Sequence, residues 1–140
     1  MPTSSYNKFL CYVADVNNGV HNLGSHQLTV ALTNAAHAPV NTNTVLANLT
    51  EIAYTNCSTR NVTLTSSAQS SGTYKLLVQT LTLTASGGDI APFRYVILYN
   101  STASGGPLIA WWDYASDVTV HSGETFLCGF DTSAGVFQLV

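Results

Sequence analysis

Charge is what this chain most lacks. Only 8% of its 140 residues are Asp, Glu, Lys or Arg, against about 25% in ordinary globular domains. Its four cations, Lys8, Arg60, Lys75 and Arg94, are scattered. They form no basic stripe to neutralise phosphates, which argues against a nucleic-acid partner. Cysteine is equally sparse. Cys11, Cys57 and Cys128 are an odd number with no close pair, so they do not read as a disulfide framework and fit assembly in a reducing cytosol. No run approaches the ~18 apolar residues of a membrane span, so no membrane partner is expected. The start, MPTSSYNKFL, lacks a basic segment leading into an apolar one, so no secretory signal is expected.

Catalytic and ligand-binding patterns are also missing. His21 and His26 lie five apart in a turn region, without the i, i+4 spacing or CxxC partner of common metal sites. Asp113, His121 and Ser122 supply the residue types of a hydrolytic triad. His121 and Ser122 are adjacent, however, so their side chains diverge on an extended strand, and no Gly-x-Ser-x-Gly elbow is present. The Gly-rich stretches Ser86–Asp89 and Ser104–Pro107 each precede a strand rather than the helix a phosphate loop requires. Asp15, Asp89, Asp117 and Asp131 never form the spaced D-x-D-x-D run of a calcium loop. We expect neither catalysis nor a cofactor. The sequons at Asn48, Asn56, Asn61 and Asn100 read as chance in a chain this rich in Asn, Ser and Thr.

What is present is alternation. Leu28, Val30 and Leu32 alternate with Thr29, Ala31 and Thr33, as in a strand with one buried face. At the centre, APFRYVILYN and LIAWWDY flank a Ser/Gly loop. Phe93, Tyr95, Ile97 and Tyr99 share one face of this hairpin, and Arg94, Val96 and Leu98 the other. Leu108, Ala110 and Trp112 alternate with Ile109 and Trp111. A ribbon apolar on both faces must be covered on both, inside a sandwich or at a subunit interface. Trp111 and Trp112, on opposite faces, are candidate contacts.

Further strands are expected at 6–14, 62–66 and 73–85, the last bent near Val78 to Thr80, and around Val118, Phe126 and the C-terminus. Asn18-Gly19 reads as a hairpin turn, and 67–72 as another turn. Val45, Leu46, Leu49 and Ile52 follow a helical spacing, which predicts one short helix over 44–53. Turns every 8–12 residues indicate an all-β fold: one antiparallel β-sandwich domain over 1–140, of jelly-roll or immunoglobulin-like type. Residues 1–9 are expected to extend as an arm, with Tyr6 and Phe9 as anchors on a partner.

The segments HNLGSHQLTVALTNAAHAPVNTNTVLANLTEIA, SSAQSSGTYKLLVQ, APFRYVILYN, GPLIAWWDY and SGETF resemble a family of small virion proteins of tailed bacteriophages. The resemblance implies a decoration or cement protein on the capsid surface, assembled in the bacterial cytoplasm, with the major capsid protein and further copies of itself as partners. A homotrimer at a local threefold axis, or a homodimer at a twofold axis, would suit closed symmetry. It carries over no catalytic residue. Alternatives are a tail or tail-tube component, and a head protein binding host-surface glycans through an exposed tryptophan.

Overall fold

The computed structural model describes residues 4–139. Ten strands and one short helix follow in order: β1 (Asn7–Lys8), α1 (Cys11–Asn17), β2 (Leu28–Thr33), β3 (Asn61–Val62), β4 (Leu64–Ser70), β5 (Thr73–Val78), β6 (Leu81–Thr84), β7 (Ile90–Asn100), β8 (Leu108–Val120), β9 (Thr125–Cys128) and β10 (Gln138–Leu139). They form a five-stranded sheet of order β1-β8-β7-β2-β3, a three-stranded sheet β10-β5-β4 and a two-stranded ribbon β6-β9. All strand pairings are antiparallel. The sheets pack together as an all-β sandwich. Its exposed surface is 7027 Å², close to the roughly 7,000 Å² of a compact monomer of this size.

The central hairpin became β7 and β8, and it is apolar on both faces. Val96, Leu98, Ile109 and Ala110 join Leu28, Val30 and Leu32 in a core shared with Leu76, Leu83 and Phe93. Tyr95, Ile97, Tyr99 and Leu108 join Phe9 and Ala31 in a second, smaller core behind the sheet. Two residues depart from strict alternation. Register shifts flank Phe93 and occur between Leu98 and Tyr99. They put Phe93 in the first core, away from Tyr95 and Ile97, and place both Ile109 and its neighbour Ala110 there.

The chain bends between β5 and β6, at Gln79 and Thr80. This lets Leu76 and Val78 on one strand and Leu81 and Leu83 on the next enter the same core. The β4–β5 hairpin turns at Ser71-Gly72 alone, both with positive φ (51° and 81°), so the turn is tighter than the 67–72 loop expected.

Three expectations about local structure are corrected. The segment 6–14 is not one strand: Asn7 and Lys8 pair with β8, and the chain then coils into α1. Asn18-Gly19 ends that helix instead of turning a hairpin. Gly19 has φ 74°. Its N–H bonds Val16 O at 3.3 Å, and Val20 N–H bonds Asp15 O at 2.9 Å, the paired closure of a Schellman cap. The helix expected over 44–53 is likewise absent. A single 3-10 turn, Leu46–Asn48, stands there, and α1 is the one α-helix among the described residues.

The corrections at 6–14 and 44–53 have one cause. Phe9 belongs to the second core and Tyr12 to the first; Leu46 and Leu49 pack on the second and Ile52 on the first. Each segment passes round an edge of the sheet, so its apolar spacing serves two cores on opposite faces. The N-terminal arm is corrected too. Residues 7–9 belong to the body, with Phe9 wholly buried, while residues 1–3 lie outside the described residues.

Candidate contact surface

The four sequence-selected residues divide into two pairs. Phe9 and Trp111 meet behind the five-stranded sheet, ring centroids 6.5 Å apart, with Tyr95 against the same indole at 6.0 Å. The Trp111 indole N–H is buried there without a partner. These two are packing residues, which removes Phe9 as an external anchor. Tyr6 and Trp112 meet on the other side, 6.0 Å apart and edge-on.

From this second pair an aromatic strip runs along the edge between the sheets. Tyr12 packs on Phe137 at 5.3 Å and Phe137 on Tyr6 at 6.3 Å. Tyr6 leads to Trp112, and Trp112 to Phe130 at 5.6 Å. Tyr6 is 38% exposed, and burial against its neighbours pushes its phenol up to about 12. It therefore stays neutral near neutral pH. Alternation on β8 explains the division: Trp111 and Trp112 are adjacent, so one must face each core.

An open groove flanks the strip on either side. One, of about 510 Å³, lies between Trp112 and Tyr114 and the length of β9. Its lining residues carry no charge and no carboxamide. β9 pairs only with β6 among the described residues, so its outer backbone edge is open toward this groove. The other groove, of about 320 Å³, lies between α1 and β10 and includes Tyr6, Val13, Phe137 and Leu139, with Lys8 as its one charged residue. Val13, Leu139 and the neighbouring Leu10 are about half exposed. The sequence signalled Tyr6 and Trp112, but not Val13, Phe130 or Leu139. Val13 lies in α1, Leu139 in β10 and Phe130 in the connection after β9, and no local pattern relates them.

The polar candidates scatter. Asp113 does not meet His121. It makes a two-pronged ion pair with Arg94, at 2.8 and 3.0 Å, which holds its carboxyl below the usual range. His121 instead bonds Asp89 at 3.0 Å, which raises the imidazole and lowers the carboxyl. Asp117 accepts Ala35 N–H, and Asp131 accepts Ser133 and Ala134 N–H. Among the described residues, no three His, Cys, Asp or Glu side chains gather as metal ligands do. Burial pushes the Cys128 thiol up to about 12, and burial also raises Cys57 and Cys11. His21 and His26 do come together, around Asn100.

No family model, curated protein or solved structure matches the chain.

Proposed function

We propose that this chain is a structural protein of a bacteriophage particle, a decoration or cement protein that binds the outside of the major capsid shell and stabilises it. The observation that carries the reading is the Tyr6–Trp112 strip. It is an aromatic edge between two open grooves, nearly free of charge, in which Tyr6 is exposed, Trp112 and Phe130 are partly exposed, and Tyr12 and Phe137 are buried beneath them. Aromatic residues are the usual centre of protein–protein contacts, and charge is depleted there. Sparse charge elsewhere also leaves little to repel neighbouring copies, which favours the crowding of a shell. Trimers at local threefold axes, or dimers at twofold axes, remain the assemblies that closed symmetry favours.

A glycan-binding role finds less support. The groove beside Trp112 offers no carboxylate or carboxamide for sugar hydroxyls.

Electron microscopy of particles assembled with and without the chain tests the reading. It predicts extra density on the outer shell, repeated by the capsid symmetry, with the Tyr6–Trp112 edge facing capsid. Tyr6→Ser is the matched variant, because removing residues 1–9 would also remove the buried Phe9. Loss of a central aromatic contact lowers affinity roughly tenfold or more, so the variant's shell occupancy should fall while its melting curve stays near that of the parent. Density confined to the tail, or full occupancy by Tyr6→Ser, would overturn the assignment.

A further inference from the structure

Beside Tyr12, at the start of the aromatic strip, one side chain knots three segments together. Asn100, the last residue of β7, is fully buried. Its carboxamide oxygen accepts Thr102 N–H at 3.0 Å and Ala103 N–H at 3.1 Å. That fixes the orientation of the amide, because an NH2 group cannot accept them. The two amide hydrogens then point at two imidazoles: His21 Nδ1 lies 3.1 Å and His26 Nδ1 2.8 Å from Asn100 Nδ2. His26 Nδ1 also accepts the N–H of Asn22 at 3.2 Å. Both Nδ1 atoms must therefore be bare, and both rings must be neutral with hydrogen on Nε2.

That arrangement has no room for another proton. Protonating His26 at Nδ1 aims its new N–H at two N–H donors. Protonating His21 aims it at the Asn100 amide, which cannot turn over without abandoning Thr102 and Ala103. His21 Nε2 is buried with no partner, so the ring gains nothing by rotating. The groups facing His21 are the Tyr12 ring of α1 at 5.3 Å, Asp15 of the same helix, and His26. Asp15 favours the charged ring, but burial, the largest influence, and the second imidazole oppose it. No carboxylate bonds either ring among the described residues.

We propose that His21, His26 and Asn100 form a proton-sensitive latch. In it, gain of a proton by either ring frees the segment between α1 and β2 from the end of β7. The segment is otherwise held at its end, by Gln27. Gln27 donates its N–H to Thr102 Oγ1 at 2.8 Å, and its carbonyl accepts Ser101 N–H at 3.0 Å. Its side-chain amide donates to Val62 O at 2.8 Å, and its carbonyl also accepts Ser101 Oγ at 2.9 Å. Release loosens residues 18–27 and the 101–107 connection together and uncovers Leu23, which packs against the first core. The β sandwich itself stays folded.

Hydrogen exchange on the whole chain, read residue by residue and corrected for the pH dependence of intrinsic exchange, tests this. Measurements at about pH 7.5 and about pH 5 bracket the ordinary imidazole value of ~6.5. Protection of the amides of Ser25, His26, Thr102 and Ala103 should fall about tenfold or more at the lower pH, while β2 and β7 interior amides keep theirs. In the double variant His21→Gln, His26→Gln, the carboxamide oxygens can accept from Asn100 without titrating, and that fall should vanish. Equal protection at both values in the parent, or an undiminished fall in the double variant, overturns the latch. Nitrogen NMR of the parent supplies a check that needs no variant. Both imidazoles should show a bare Nδ1 at about pH 7.5, and a proton on either Nδ1 would refute the arrangement.

Discussion

The two faces of the five-stranded sheet start from the same kind of sequence and are covered differently. The first face, with Val30, Leu32, Val96 and Leu98, lies under other strands, whose Leu76, Leu83 and Phe126 pack against it. The second, with Ala31, Tyr95, Ile97 and Tyr99, is covered by Phe9 and by Leu46 and Leu49 from a segment with a single 3-10 turn. An apolar face does not require a sheet as its cover; it requires enough side chains to exclude water. Irregular chain can do this where its backbone groups find partners. Here they do: Leu46 N–H bonds Gly106 O at 2.9 Å, and Leu108 N–H bonds Thr44 O at 3.0 Å.

Matched truncations on the two faces sharpen the contrast. Phe93 and Phe9 are both wholly buried. Phe→Ala in a core costs ~3–5 kcal/mol, and the spread reflects how far the surroundings collapse. Phe93→Ala, beneath the edge-on ring of Phe126 at 5.1 Å, should sit near the top of that range, at ~5 kcal/mol. Phe9→Ala, under the looser cover, should cost ~3 kcal/mol. Urea unfolding of both variants measures the gap, and equal or reversed losses would show that the second face is as rigidly packed as the first.

A smaller effect tests how the chain crosses from one face to the other. The Schellman cap at Gly19 ends α1 after Phe9 and Tyr12 have entered their separate cores. Nothing lies within 4 Å of the position a Cβ would take at Gly19, so Gly19→Ala carries only the cost of a left-handed backbone, ~1–2 kcal/mol. A loss well above that in the same unfolding assay would mean that the cap also bears packing.

The smallest expected effects are electrostatic and opposite in sign. Burial lowers His21, so its unfolded form binds a proton first. The stability this contributes is present above the ordinary imidazole pKa and is lost as pH falls through the lowered value. Asp89 raises His121, so that pair contributes below the ordinary value and is lost as pH rises through the raised one. The His121 ring is 64% exposed, so solvent screens its share. Stability between pH ~5 and ~7 should therefore slope upward with pH; His21→Gln should flatten that slope, whereas His121→Gln should steepen it by a smaller amount. The reverse ranking would place the dominant titration on the surface pair.

The sequence by itself determined the alternation of β2, β7 and β8, the apolar character of both faces of the central hairpin, and the antiparallel β class. These rest on side chains pointing to alternate sides of an extended chain, a local property that any stretch of a few residues displays. It also placed the bend near Val78 to Thr80, from the change of phase between Leu76 with Val78 and Leu81 with Leu83, but expected two packing surfaces there, whereas both pairs enter one core. Only the tertiary structure decided which core each apolar residue of 6–14 and 44–53 would enter. Their spacing suits a strand or a helix, but both segments turn round a sheet edge that does not exist until distant strands have paired. The same holds for the site. Tyr6 joins Trp112, and His21 joins Asn100, only because residues about 80 to 105 positions apart are brought together by the strand order, which no local pattern encodes.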